Sequence, residues 1–297
     1  MKMTSIQQEV VNLPEKLEVL LQQERTTYRG IDYLRDSNAG NQDDSTGESS
    51  PPAQGSYKPS VNALWREQIC DWSYAIVDHF DLDRETVCIS FSYLDRFIPR
   101  YKRPINHKTY QLAAMTTLYM AIKLYEPRKI GINSFISLSR GHFTSNHIVA
   151  MEHLILQTLS WHVHPPTPVS FVNHLLLLHP VKDTRLNDIS RFLTELSVCD
   201  YFFVTRRPSS IALACILNAM EEVQSPSHVT MEFLETAKRF APDIDGDRQD
   251  VFECQAQLKE LYYASGSNSH VTQVDCSAPT SEREESVSPV CVSKMFA

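Results

Sequence analysis

The sequence predicts an all-α protein built from two tandem five-helix units. Three observations carry that prediction. Apolar residues recur at helical spacing from residue 61 to 262, as in Trp65, Ile69, Trp72 and Ile76, which are four, three and four residues apart. β-Branched residues are scattered, and no hairpin signal interrupts the pattern. A run of prolines, Pro165, Pro166 and Pro168, divides the helical region into two halves of similar length.

The elements follow in order. Residues 1–35 read as an N-terminal helical extension, with Leu13, Leu17, Leu20, Leu21 and Ile31 as a partial stripe and Pro14 near its start. Residues 36–60 are rich in Ser, Gly, Asn, Asp and Pro and read as a disordered linker. The first five-helix unit spans 61–164. It opens on the helix of Trp65 and Trp72. Asp83 then caps a helix through Phe97, with Glu85 in its first turn. Asn106 caps a third helix through Leu124, ended by Pro127. A short helix near Ser134–Ser139 stops at Gly141. Ser145 caps a fifth, in which Ile148, Met151, Ile155 and Leu159 share a face.

The second unit spans 165–264. Thr167-Pro168 suits a cap followed by proline at the first helical position. Helices are expected over Val169–Leu178, Thr184–Phe203, Ser209–Glu222, Thr230–Phe240 and Arg248–Ala264. Residues 265–297 lose periodicity and read as a disordered acidic tail rich in Ser and Pro.

Bulk properties narrow the function. The chain has 297 residues and a net charge of −8, which argues against a general nucleic-acid surface. Its seven cysteines include no CxxC pair and mostly sit in apolar helical context, as expected of small buried hydrophobes in a reducing compartment. No apolar run reaches the ~18 residues of a membrane span, and Met1–Glu9 lacks a signal-peptide layout. A soluble protein of nucleus and cytoplasm is the expectation. No glycine-rich phosphate loop, nucleophile motif or metal template is present, so neither catalysis nor a cofactor is expected. His162 and His164 with His174 or His179 fit no ligand spacing.

Four charges stand inside apolar helical faces: Arg66, Asp95, Lys123 and Glu152. Such charges are costly unless paired or aimed at a partner. Their contexts are Trp65-Arg66-Glu67-Gln68-Ile69-Cys70-Asp71-Trp72, Tyr93-Leu94-Asp95-Arg96-Phe97, Ala121-Ile122-Lys123-Leu124 and Met151-Glu152-His153-Leu154. With Leu112 they stand in register over residues 65–161, and that constellation resembles the cyclin box. The layout is most similar to that of G1 (D-type-like) cyclins.

The resemblance implies two tandem cyclin folds and a non-catalytic subunit that binds and allosterically activates a cyclin-dependent protein kinase in cell-cycle control. It implies that Arg66 and Asp95 form a buried ion pair fixing how two helices cross. Lys123 and Glu152 would bond backbone groups of the kinase, with Met120, Leu124, Leu156 and Trp161 forming an apolar groove for its regulatory helix. In many cyclins the first helix also docks R-x-L motifs of substrates and inhibitors. Here that patch would comprise Trp65, Gln68, Ile69, Trp72, Tyr110 and Gln111. It is altered, since Trp65 and Gln68 replace apolar residues of other shape and Ala75 stands where an acidic residue is usual. After Lys123 the chain reads Leu124-Tyr125-Glu126 where the family often has aromatic-Glu-Glu, which alters the groove. Ser288, before Pro289 in the acidic tail, is a candidate phosphosite for turnover. Neither a membrane nor nucleic acid is an expected partner. Two alternatives share the fold: a transcription-associated cyclin, and a cyclin-fold general transcription factor, which the acidic charge and absent CxxC disfavour.

Overall fold

The computed structural model describes residues 11–34, 61–244 and 248–268. The expected linker at 36–60, most of the tail and Ser288 lie outside them. The described residues form α-helices joined by loops, three of which contain a short 3₁₀ turn, and no helix among them is long and apolar enough to cross a membrane. The chain divides into two compact units: one holds residues 29–165, the other the N-terminal residues together with the chain from Pro166.

The first unit contains α2 (Ala63–His79), α3 (Glu85–Phe97), α4 (His107–Tyr125), α5 (Ile132–Ser137) and α6 (Ser145–Thr158). Local chemistry sets their ends. The Asn62 and Asn106 side chains accept from Trp65 N and Thr109 N, each at 2.9 Å, and so cap α2 and α4. Asp83 Oδ1 accepts from Glu85 N at 2.9 Å. The cap of α6 is Thr144 rather than Ser145, because His147 bonds back to the Thr144 backbone and completes a reciprocal box. Gly141, with φ +84°, turns the chain before it.

Helix α4 is the centre of this unit and packs on α2, α3 and α6. Several of its buried residues are small, namely Ala113, Ala114, Thr116, Thr117 and Ala121. Small side chains let α3 approach closely, and the Ser90 hydroxyl donates to Thr117 Oγ1 at 3.1 Å across that contact.

The second unit repeats the plan with α7 (Pro168–Leu175), α8 (Thr184–Cys199), α9 (Pro208–Glu222), α10 (Ser227–Phe240) and α11 (Arg248–Asn268). Thr167 Oγ1 accepts from Ser170 N at 3.0 Å, so the proline-led helix starts where the sequence places it. The expected helix Thr184–Phe203 breaks at Cys199. Asp200 caps a 3₁₀ turn over Tyr201–Thr205 there by accepting from Phe202 N at 2.9 Å. Again the third helix is central and small-sided, with Ala212, Ala214, Cys215 and Ala219 buried.

Helix α1 (Leu13–Arg25) completes this second core, where Leu13, Leu17 and Leu21 are buried with Phe171 and Phe233. Glu24 is buried, and its carboxylate accepts from Ser209 N at 2.9 Å and from the Ser209 hydroxyl at 2.6 Å. A residue 185 positions away in sequence therefore caps α9.

Candidate functional site

The charged residues of the first unit fall into two groups. One is internal. Arg66 on α2 donates to both oxygens of Asp95 on α3, Nε to Oδ1 at 3.1 Å and Nη2 to Oδ2 at 2.8 Å. Both residues are buried, at 3% and 8% exposure. The guanidinium lies 4.8 Å from the Phe91 ring centroid. Burial alone would lower the Arg66 pKa, but the Asp95 charge outweighs it and holds the group above its ordinary value. A third member was not legible in the sequence: the Tyr33 hydroxyl donates to Asp95 Oδ1 at 2.7 Å. Burial, and then the Asp95 charge, push the Tyr33 phenol well above its usual range.

Two more residues of the Tyr93–Phe97 motif act on the chain that leaves α6. The Tyr93 hydroxyl donates to Val163 O at 2.6 Å, and Arg96 Nη2 to His162 O at 2.9 Å. Tyr125 joins them, donating to Val163 O at 2.9 Å with His164 Nδ1 2.8 Å from its oxygen. This clamp holds a strained turn. Ser160 and Trp161 stand at φ +50° and +62°, a left-handed conformation unusual for bulky residues. Trp161 N donates to Leu156 O at 2.9 Å, and the indole is left 65% exposed. The signal for the clamp was a buried Tyr and Arg three residues apart on one helical face.

The second group faces outward. Lys123, near the end of α4, forms an ion pair with Glu152 on α6. Lys123 Nζ also lies 5.6 Å from the Tyr119 ring centroid. Leu124 is exposed and Leu156 half-buried. Together with Trp161 they give the pair an apolar border. Met120 does not belong to it: at 1% exposure it faces the core of the unit, because it falls on the inward stripe of α4 with Thr116 and Thr117. Glu126 also turns inward. It accepts from Asp83 N at 3.0 Å and from the Thr86 hydroxyl at 2.5 Å, and so caps the start of α3 instead of altering the groove.

The first-helix patch is mostly interior. Ile69, Trp72, Tyr110 and Gln111 are buried, leaving Trp65 and Gln68 half-buried at its surface. The burial follows from the stripe Trp65, Ile69, Trp72 and Ile76, which packs toward α4. Burial raises the pKa of Asp71 beside it. Among the histidines, Nδ1 of His162 lies 3.1 Å from Leu159 O and Nδ1 of His174 2.6 Å from Ser170 O, both local helix contacts. Among the described residues no group of His, Cys, Asp and Glu could hold a metal ion.

Two five-helix units of one plan, the first carrying a buried Arg–Asp tie and an outward Lys–Glu pair, define an all-α protein. Comparison with known proteins identifies the class. The cyclin N-terminal domain model matches residues 41–164 and the cyclin C-terminal domain model residues 166–290. The chain belongs to the cyclin family.

Similar relatives include a G2/mitotic-specific cyclin S13-6 of Glycine max, 30% identical over 54% of this chain and 35% of that one. A G2/mitotic-specific cyclin-B of Dictyostelium discoideum is 28% identical over 68% of this chain and 44% of its own length. The chain thus spans from about a third to under half of these relatives. In fold it is similar to a viral cyclin from herpesvirus saimiri, with a TM-score of 0.61 and 15% identity, covering 86% of this chain and 99% of that one.

Proposed function

We propose that this protein is the regulatory subunit of a cyclin-dependent protein kinase and activates it allosterically. One observation carries the reading: the Lys123–Glu152 pair stands at an exposed helix edge, bordered by Leu124, Leu156 and Trp161. On the kinase, the two charges exchange each other for backbone groups, and the apolar border receives the regulatory helix. Docking drives that helix inward, seats the glutamate of the kinase's Lys–Glu pair and frees the activation loop. Arg66 and Asp95 serve this indirectly by fixing the crossing of α2 and α3.

Affinity purification of wild type and of Lys123→Ala/Glu152→Ala from cells, with mass spectrometry of the bound kinase, tests the interface. The variant is expected to lose the kinase. Equal recovery by both proteins would sink the assignment.

A role in cell-cycle control fits the mitotic names of the relatives. Substrates of the co-purified kinase separate this role from a transcription-associated one, in which the polymerase tail is phosphorylated. Nucleus and cytoplasm are the proposed locations, tested by imaging the tagged protein in cells. Turnover through Ser288 is tested by the half-life of Ser288→Ala, which is expected to lengthen.

A further inference from the structure

The charge of this chain is unevenly distributed. The whole carries −8, yet residues 96–151 hold nine Lys and Arg against one carboxylate, Glu126. That carboxylate is buried and occupied by Asp83 N and Thr86. The cations are not all available. Arg96 is buried on His162 O, Lys123 is paired with Glu152, and Lys129 bonds Glu126 O. At the start of α4, however, Arg100, Lys102, Arg103 and Lys108 are all exposed. Among the described residues none of the four has an acidic partner, and only Arg100 is engaged, donating to Arg96 O at 2.6 Å.

Two helix starts reinforce this charge. Neither α2 nor α4 has an acidic residue in its first turn, where one would ordinarily offset the helix dipole. The two starts adjoin, since the rings of Trp65 on α2 and His107 on α4 have centroids 3.7 Å apart. Lys108 stands in the first turn of α4, a placement that is unfavourable by itself and favourable beside an anion. Beside His107, and so at the Lys108 end of the cations, lies an apolar shelf, Leu64 at 57% exposure and the half-buried Trp65. The carboxylates of α2 are further along: Glu67 lies a turn beyond Leu64, and Asp71 about 10 Å along the axis from it. The patch is therefore polar in charge, basic at the helix starts and acidic toward Asp71.

We infer that this face docks an extended acidic peptide of a protein partner, with an apolar side chain on Leu64 and Trp65 and Asp or Glu residues against Lys102, Arg103 and Lys108. The inference rests on the reading of the first helix as a docking face and changes its ligand: at this end the complementary residue is a carboxylate, not the arginine of an R-x-L motif. Charge complementarity supplies orientation and association rate, and the apolar contact supplies the anchor.

Fluorescence anisotropy on the full chain tests it with two labelled peptides that share one Leu-x-Leu centre, flanked either by Asp and Glu or by Arg and Lys. The acidic peptide is expected to bind at least tenfold more tightly and to weaken as salt rises. Lys102→Ala/Arg103→Ala/Lys108→Ala should lose at least tenfold for the acidic peptide. All three side chains are exposed, so the melting temperature should hold. Trp65→Ala should weaken either peptide. If the basic peptide binds as tightly or better, this inference falls and the R-x-L reading stands. If neither peptide binds, both fall. A triple variant that binds the acidic peptide like wild type overturns the inference, as does displacement of that peptide by single-stranded DNA at equal phosphate charge, which would assign the cations to nucleic acid.

Discussion

The Tyr33 hydroxyl donates to Asp95 at 2.7 Å, so one buried carboxylate is shared between the Arg66 guanidinium and a phenol from the chain ahead of α2. A carboxylate with three donors is well satisfied, and removing any donor exposes the cost of burying it. Arg66→Ala or Asp95→Ala is expected to destabilise the first unit by about 3–5 kcal/mol. Tyr33→Phe should cost about 1.5–3 kcal/mol, the range for a hydrogen bond to a charged group. Urea unfolding measures each. In an Asp95→Asn background the Tyr33→Phe cost should shrink, and an unchanged cost would mean that the contact carries no coupling.

The Lys123–Glu152 pair should behave oppositely. Its lysine is 43% exposed, so the pair adds about 0–1 kcal/mol to stability. The reversal Lys123→Glu/Glu152→Lys is expected to melt within a few degrees of wild type yet lose kinase capture. A reversed variant that still captures kinase would show that the two charges act only on each other.

Trp161 separates stability from binding in a second way. Its φ of +62° is one that glycine adopts without cost. Trp161→Gly is expected to keep or raise the thermal stability, by up to about 1 kcal/mol. The same change should weaken kinase binding by about 2 kcal/mol, as loss of an aromatic anchor does. Calorimetry and titration with the kinase read the two effects independently.

Glu24 makes the docking of α1 depend on pH. Burial raises its pKa above the usual 4.5, and the Ser209 bonds lower it only in part. A raised folded-state pKa means that the folded chain holds the proton more tightly than the unfolded one. The stabilising contribution is full below the unfolded pKa and is lost as pH rises through the folded value. Hydrogen exchange in Leu13–Arg25 should therefore slow, relative to the intrinsic rate, as pH falls from ~7 to ~5. Glu24→Gln should flatten that trend. Glu24→Ala should cost about 1–3 kcal/mol by leaving the Ser209 N–H unpaired.

Thiol chemistry offers a check on the second core. Burial, then the nearby Asp250 charge, push the Cys254 thiol up to about 12, and burial raises Cys215 as well. Neither should react with Ellman's reagent in the native protein near neutral pH. All seven cysteines should titrate after denaturation.

The sequence by itself determined the helical class, the two units and the register of Arg66, Asp95, Lys123 and Glu152. These rest on local periodicity, on caps such as Asn106 and Thr167, and on spacing within short segments, all of which are properties of neighbouring residues. The tertiary structure decided which face of each helix is covered. That is why Met120, four residues on from Thr116, is core rather than groove, and why Glu126 caps α3. It also decided the long-range partners. The Tyr33–Asp95 bond joins residues 62 apart and the Glu24–Ser209 bond residues 185 apart. No periodicity encodes such pairs, because they arise only when packing brings a buried carboxylate within reach of donors distant in sequence. The left-handed turn that exposes Trp161 belongs with them: it persists because Tyr93, Arg96 and Tyr125 hold the carbonyls that follow it.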